Sequence, residues 1–213
     1  MMNDTENSKC PLCPKNGFYL YNILSDKFTL EFLTVFKTPN FLVVPDIAPI
    51  VEGHLLLITA KHYLSSGEVI NRHYNEFNTL KQHTARALTQ VYQSPIFLEH
   101  GSVFDKEAGN SIVHAHMHCV PFSTRKQIDI NGGMLPRVKS PSLNTLGEYA
   151  KGKKPYLYLE TGHGESYVYP VNSAIPSQFW RRVVATEIGV KQWDWRASLE
   201  NESREIYVKM ICE

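Results

Sequence analysis

Three histidines that alternate with apolar residues are the feature of this sequence with the clearest chemical potential. His114, His116 and His118 are separated by Ala115 and Met117. Successive side chains of a β-strand point to opposite faces, so the three imidazoles are predicted to line one face while the intervening residues face the core. A neutral imidazole can attack an electrophile or bind a metal. Three such rings in register, out of nine histidines in the chain, indicate a functional face.

A Cys-x-x-Cys pair is the second feature that suggests chemistry. Cys10 and Cys13 could form a redox couple or half of a zinc site. Redox pairs of the thioredoxin type follow a buried strand, whereas a polar segment precedes this pair, so a metal site is favoured. Tetrahedral zinc needs four ligands, and the pair supplies two of them.

The composition is that of an ordinary soluble protein with enough apolar residues for a core. Of 213 residues, 43% are hydrophobic and 20% are charged, and the net charge is +1. This charge balance gives no electrostatic argument for nucleic acid or for a membrane surface. Residues 1–9 lack an apolar signal core, and no run of about 18 apolar residues suggests a membrane span. The sequence therefore predicts a cytoplasmic protein without membrane association.

Hydrophobic periodicity predicts the elements that position these residues. Apolar residues at steps of three and four predict one long amphipathic helix over 66–92. Alternating or short apolar runs predict strands, and the stretch 123–154, rich in Gly, Pro, Ser and Lys, is predicted to be mainly loop. Ser177 is predicted to cap a C-terminal helix. The predicted strands cover 35–36, 40–44, 53–59, 96–98 and 111–120, with a hairpin at 155–160 and 166–170, and the C-terminal helix covers 178–188.

With these motifs in place, the chain resembles the histidine-triad (HIT) superfamily of nucleotide hydrolases and transferases. The family signature, His-x-His-x-His followed by two apolar residues, is matched by the triad with Cys119 and Val120. Further family-like features are the cysteine pair, a Gly-His strand with an Asp eight residues before it, a Lys-His pair after that strand, and Gly-Asn-Ser before the triad. The resemblance covers roughly residues 10–122.

The resemblance implies an α+β fold with an antiparallel sheet of about five strands and one long helix. We assign residues 1–124 to this HIT-like catalytic domain. Residues 125–213 then form a C-terminal extension, a hairpin and a helix, that packs on the domain. HIT-like sheets commonly pair into dimers, so the resemblance also implies a homodimer.

The resemblance implies a nucleotidyl-histidine mechanism. His116 would attack the α-phosphorus of a nucleotide conjugate, such as a dinucleoside polyphosphate or a nucleoside phosphoramidate. His118, together with His114, would support this catalytic centre by orienting the nucleophile or contacting phosphate. Ser111 would hydrogen-bond the phosphate or the leaving group, although a serine in a turn is the simpler interpretation.

Substrate-binding roles also follow from the resemblance. Asp46 stands where the family places a carboxylate that accepts both ribose hydroxyls, while a Pro-Asp turn is the alternative. Val44 and Ile47 would sandwich the base. The remaining residues implied for substrate binding are His54, near the triad, His100, where many relatives have Asn, and Asn110.

Zinc is the cofactor that the resemblance implies. The ligands carried over are Cys10, Cys13, His62 and His114, a closed set without an open coordination position. Such a set is typical of structural zinc, and it leaves His116 free of metal.

Two other classes of function stay open. The chain could be a non-catalytic nucleotide- or RNA-binding module, with Arg181 and Arg182 contacting phosphate and Trp193 or Trp195 stacking on bases. Helix arginines are more often solvated, however, and tryptophans more often belong to the core. Alternatively, the chain could be a zinc hydrolase whose metal lies on the His-x-His strand itself.

Overall fold

The computed structural model describes residues 10–13, 34–122, 137–140 and 142–200, and in these residues one antiparallel sheet of eight strands carries four helices. The elements in chain order are β1 (Phe36–Lys37), β2 (Phe41–Pro45), β3 (Leu55–Thr59), α1 (Gly67–Val91), β4 (Pro95–Gly101), β5 (His116–Pro121), β6 (Val138–Lys139), α2 (Asn144–Lys151), β7 (Tyr156–Glu160), β8 (Ser166–Pro170), α3 (Phe179–Ile188) and α4 (Trp195–Glu200). The strand order is β1-β2-β3-β5-β4-β7-β8-β6.

The triad strand β5 lies between two long buried strands. His118 is opposite Leu56 of β3 on one side and opposite Leu98 of β4 on the other. Both neighbours run antiparallel to β5, so the ladder fixes which face each of its side chains takes. The register therefore places the odd- and even-numbered residues of β5 in different layers.

The first face of the sheet is covered by α1 and α2. Met117 and Cys119 of β5 belong to this core, where they join Phe77 and Leu80 of α1. Gly67 of α1 makes the close approach of the two helices possible, because a Cβ there would lie 2.3 Å from the carbonyl oxygen of Leu146. The apolar stripe that predicted the long helix is thus the stripe that the sheet buries.

The second face is covered by two different parts of the chain. Over β4, β7 and β8 lies α3, whose Trp180 and Val184 are fully buried. Over β2 and β3 lies the cysteine loop, where Leu12 packs with the strand residues Val44 and Leu56. The boundary between these two layers runs over the triad strand and leaves room for a site there.

The α+β class is confirmed, and the sheet is larger than predicted. It has eight strands rather than about five, because the C-terminal hairpin pairs with β4 and β8 pairs with β6. The division at residue 124 stays a prediction, since the extension continues the same sheet. None of the described helices is both long and apolar enough to cross a membrane.

Three local predictions were wrong. The triad strand begins at His116, not at residue 111, and α2 lies in a stretch predicted to be mainly loop. Ser177 does not cap α3; the residue before the helix is Gln178, in a left-handed conformation with φ 60° and no capping side-chain bond. Gln178 instead bonds to distant residues, a tertiary effect that the local capping rule does not include.

Candidate functional site

A small cavity lies on the second face of the sheet, at the boundary between the cysteine loop and the C-terminal extension. Its volume is about 40 Å³, room for about three water molecules, the scale of a phosphoryl group rather than of a whole nucleotide. A nucleotide must therefore extend through the opening or displace part of the wall. The lining residues are Leu12, Asp46, Ile47, Leu56, His100, Ser111, Ile112, His116, His118, Gln178, Arg181 and Trp195.

The middle histidine of the triad has a defined tautomer. His116 Nδ1 lies 2.6 Å from the backbone oxygen of His114, and since a carbonyl oxygen only accepts, Nδ1 carries the proton and donates it. In a neutral imidazole this leaves the lone pair on Nε2. Burial lowers the pKa of His116, against the opposing effect of the bond to the His114 carbonyl. The ring is thus a neutral imidazole with an unprotonated Nε2 at the cavity.

A chain of hydrogen bonds also determines the tautomer of His118. The backbone N–H of Ile50 donates to His54 Nδ1 at 3.2 Å, so the proton of His54 is on Nε2. That N–H faces His118 Nδ1 at 3.0 Å, which places the proton of His118 on Nε2. Burial lowers the pKa of His54 to about 4 and takes that of His118 well below its ordinary value. His118 therefore presents an N–H donor from a neutral ring.

Asp46 lines the cavity as the resemblance implied, but its carboxylate already has a strong partner. Arg181 Nη1 donates to Oδ2 at 2.8 Å, and Oδ1 accepts the backbone N–H of Ala48 at 2.8 Å. Arg181 also donates to the backbone oxygens of Ala48 and Trp193. Burial, the largest single effect, raises the pKa of Asp46, but the Arg181 guanidinium, together with His54 and the bond from the Ala48 N–H, brings the pKa below its ordinary value. The carboxylate of Asp46 is therefore ionised, and the positive charge of Arg181 balances its negative charge.

Ser111 contacts the extension as well. The indole Nε1–H of Trp195 donates to Ser111 Oγ at 2.8 Å. The backbone N–H of Trp195 donates to Gln178 Oε1 at 3.1 Å, and Gln178 donates its own backbone N–H to Gly109 at 2.8 Å. The loop that carries the serine is therefore attached to the extension at two points.

After Asp46 and Ser111, His100 is the third cavity residue that contacts the extension. The backbone N–H of Trp180 donates to His100 Nε2 at 3.2 Å, so the ring proton is on Nδ1, which has no hydrogen-bond partner among the described residues. Burial lowers the pKa of His100 to about 3. His100 is a neutral ring in the cavity wall.

The four predicted zinc ligands lie together beside the cavity. Their ligand atoms are all within 4.8 Å of one another. Cys10 Sγ is 3.4 Å from His114 Nδ1, and Cys13 Sγ is 3.3 Å from His62 Nδ1. Tetrahedral bonds of ordinary zinc length would separate such sulfur and nitrogen atoms by about 3.5 Å.

The surrounding hydrogen bonds also suit zinc. His114 Nε2 lies 2.9 Å from the backbone oxygen of Thr59, so Nε2 carries the proton and the Nδ1 lone pair faces the sulfurs. The pKa of Cys10 is lowered to about 2, first by its hydrogen bond with Cys13 and against the effect of burial. A thiolate is the form that binds metal. The residues fit a closed structural zinc site.

A second group of possible ligands comprises Asp46, His54 and His118. Arg181 donates to Asp46, and His54 and His118 bond to each other, so a cation there would compete with existing partners. In the described part of the chain, neither group of possible metal ligands includes His116. The rival hypothesis of a metal on the His-x-His strand would need that ring.

Not every residue expected to bind substrate lines the cavity. Ile47 does, while Val44 is fully buried in the cysteine-loop core. His54 is buried behind His118, and Asn110 is buried with its side chain bonded to Ser102 and Ile112. Val44, His54 and Asn110 are therefore buried next to the lining residues and do not line the cavity themselves.

Sequence reasoning missed part of the wall. Leu12, Leu56, Ile112 and Gln178 were not predicted to line the site. Arg181 was considered as a phosphate contact in the binding-module alternative or else as a solvated helix residue, yet it is 4% exposed and bonded to Asp46. Asp46 and Arg181 are opposite charges 135 residues apart, and no local pattern links such a pair. For Leu12, the sequence did offer one indication, because this residue lies between the two predicted zinc ligands Cys10 and Cys13.

A comparison with protein families finds a match to the part of the chain that holds the triad. The family model described as HIT domain matches residues 30–125. A comparison with curated protein sequences finds no match.

Solved structures that match include three from microbes. A HIT family protein from Bacillus anthracis is 15% identical over 60% of this chain and 89% of its own, with a TM-score of 0.41. A Zn-bound histidine triad family protein from Mycobacterium smegmatis is 20% identical over 67% and 92%, with a TM-score of 0.37. A hypothetical histidine triad nucleotide-binding protein from Sulfolobus tokodaii is 18% identical over 82% and 88%, with a TM-score of 0.38.

The family model covers the cavity residues from Asp46 to the triad, two of whose histidines, His116 and His118, lie on β5. Residues 30–125 are therefore a HIT domain.

Proposed function

We propose that the protein is a nucleotide hydrolase or nucleotidyltransferase that acts at the α-phosphate of a nucleotide conjugate. Its HIT domain supports nucleotide binding or hydrolysis in general. The substrate class proposed is a dinucleoside polyphosphate or a nucleoside phosphoramidate. The observation that carries the chemistry is the bond from His116 Nδ1 to the His114 carbonyl, because it leaves a lone pair on Nε2.

In the proposed reaction, His116 Nε2 attacks the α-phosphorus and forms a P–N bond. The bond from phosphorus to the leaving oxygen or nitrogen breaks, and the leaving group takes the electron pair and then a proton. Water or another acceptor hydroxyl next attacks the same phosphorus and loses its proton to solvent. The P–N bond breaks and its electron pair returns to His116 Nε2, so the nucleotide is released and His116 is neutral again. The His118 Nε2–H is available to donate to a phosphate oxygen during both steps.

The wall residues have matching roles in this proposal. Asp46, neutralised by Arg181, is the candidate contact for the ribose hydroxyls, and Ile47, with the apolar side chains of Leu12 and Ile112, is the candidate contact for the base. Ser111 is the candidate contact for the leaving group. Zinc, when bound by the Cys₂His₂ set, would stabilise the fold by holding the cysteine loop against the triad segment.

The homodimer implied by the resemblance is part of the proposal, with a constraint on its interface. Within the described residues, the two edge strands of the sheet, β1 and β6, have two residues each. Edges this short offer little for strand pairing between copies. We therefore propose that a dimer uses a surface other than these two described edge strands.

The test is turnover of a panel of nucleotide conjugates by the wild type and by His116→Asn. We expect the substitution to reduce turnover by more than about a thousandfold, the scale seen when an enzyme loses its nucleophile. Acid quenching with α-³²P-labelled substrate should trap an acid-labile label on the wild-type protein only. His163→Asn, at an exposed hairpin position, is the matched control and should retain activity. Unchanged turnover in His116→Asn would refute the proposal, and tight binding without turnover by the wild type would favour the binding-module alternative.

A further inference from the structure

The contact between Trp195 and Ser111 joins the extension to the predicted leaving-group residue. Within the described residues, Ser111 Oγ makes one hydrogen bond, which it accepts from the indole Nε1–H of Trp195 at 2.8 Å. An indole N–H only donates, so the serine oxygen accepts. A hydroxyl has one proton and two lone pairs. The single proton of Ser111 thus remains available for a substrate atom, and the rotation of the hydroxyl is restricted.

Gln178 holds both partners of this contact in place. Its backbone N–H bonds to Gly109, two residues before the serine, and its side-chain oxygen accepts the backbone N–H of Trp195. Its side-chain nitrogen donates to Asp194 Oδ1 at 2.7 Å. Gln178 adopts a left-handed conformation, with φ 60°. This conformation costs a non-glycine residue free energy and persists only where surrounding contacts hold it. The four contacts of Gln178 and Trp195 make a rigid link from the extension to the serine loop.

We propose that Trp195 is a positioning residue for Ser111, which rests on the proposed function. By donating to Oγ, the indole directs the serine proton to the leaving atom of a substrate whose phosphorus is attacked by His116. Ser111 and His116 line the same cavity. The Trp195–Ser111 contact increases the reaction rate most for conjugates whose leaving oxygen or nitrogen accumulates negative charge and is a strong hydrogen-bond acceptor. Residues of the extension thereby influence which leaving groups the HIT domain accepts.

The test is a double-mutant cycle with Trp195→Phe and Ser111→Ala, measured on nucleotide aryl esters whose leaving phenols span a range of pKa. Phenylalanine keeps a ring in the wall and removes the donor. We expect Trp195→Phe to lower kcat about tenfold for the poorest leaving groups, the scale of one hydrogen bond, with a smaller change in KM. The loss should shrink as the leaving group improves. In the Ser111→Ala background, Trp195→Phe should cause no further loss.

A readout besides activity examines the contact itself. The indole ¹H–¹⁵N signal that Trp195→Phe removes should shift in Ser111→Ala, because its acceptor has been deleted. Trp193→Phe is the matched control: this half-buried ring stacks with Arg182, and its substitution should leave the leaving-group dependence unchanged.

Several outcomes would overturn the inference while leaving the proposed function intact. These are additive losses in the cycle, a loss that is equal for all leaving groups, or no shift of the indole signal. Faster turnover by Trp195→Phe or Trp195→Ala would also overturn it, because Trp195 would then be an obstacle to substrate entry. If the wild type is active on no conjugate while the indole signal behaves as expected, the proposed function fails and the catalytic role of Trp195 fails with it.

Discussion

Arg181 donates a hydrogen bond to the carboxylate of Asp46 at 2.8 Å, across 135 residues of sequence. Both side chains are about 5% exposed, so the pair is buried. The guanidinium also bonds to two backbone oxygens, which connects α3 to the loop after β2. A charge pair of this kind costs desolvation, but removal of one partner leaves the other charge buried and uncompensated.

Replacement of Arg181 by Met should therefore destabilise the protein by about 3–5 kcal/mol. Adding Asp46→Asn should recover part of that loss, since it removes the uncompensated carboxylate charge. Urea unfolding of the two single variants and the double variant measures this coupling. Arg182→Met, an exposed position on the same helix, is the control and should change stability little. Strictly additive losses from Arg181→Met and Asp46→Asn would contradict the prediction.

Replacement of Cys10 by Ala should remove zinc from the purified protein and lower its stability. The set of Cys10, Cys13, His62 and His114 would retain three ligands, too few for a closed structural site. A loss of about 3 kcal/mol would lower Tm by roughly 6–12 °C for a chain of this size. Metal analysis and thermal unfolding measure the two effects.

Cys119→Ala provides the control for the cysteine substitution. Cys119 is a fully buried thiol in the α1 core and is not part of the metal cluster. This variant should keep its zinc. If Cys10→Ala retained zinc, the alternative of a metal on the His-x-His strand would gain support.

Glu99 should make the stability of the wild type depend on pH. Its two carboxylate oxygens accept from Ser66 N at 2.6 Å and from the Tyr156 hydroxyl at 3.1 Å. Burial nevertheless raises its pKa from 4.5 to about 7. Between these values the folded protein holds a proton that the unfolded chain has released. The contribution of Glu99 to the free energy of unfolding should therefore fall as pH rises from 4.5 to 7, by roughly 3 kcal/mol in total. Buried histidines whose pKa values are lowered, such as His54 and His100, contribute in the opposite direction over the same range, so the effect of Glu99 is read from the difference between the wild type and a variant.

Glu99→Gln should remove this contribution, because glutamine does not titrate. Its oxygen can accept the Ser66 N–H, and its amide nitrogen can donate to the Tyr156 oxygen, which reverses the direction of that bond. Urea unfolding at pH 5 and pH 8 compares the two proteins. Glu165→Gln, at an exposed position in the hairpin turn, should retain the wild-type slope. A difference in stability between the wild type and Glu99→Gln that is the same at both pH values would contradict the assignment of a raised pKa to Glu99.

Any dimer should leave the sheet edges unpaired. Amide hydrogens of β1 and β6 should then exchange at the same rate at low and high protein concentration, while light scattering reports whether two chains associate. Concentration-dependent protection confined to either edge strand would show that the sheet continues between copies.

The triad strand was predictable because strand periodicity is local. Alternation alone places Met117 and Cys119 in the core under α1 and His116 and His118 at the cavity. The spacing of apolar residues likewise predicted α1 to within a residue at each end. The zinc set was predicted from the resemblance, and its four ligand atoms lie together.

The second wall of the cavity was decided by tertiary structure. Arg181 contacts Asp46, and Trp195 contacts Ser111. Both contacts form because β7 pairs with β4, which places the following helix α3 over the second face of the sheet. Neither contact has a sequence signature, since a buried ion pair or an indole–hydroxyl bond depends on atoms that come together only when distant strands pair. Local patterns therefore determined the triad strand and the face on which His116 and His118 lie, whereas long-range packing determined what surrounds these two rings.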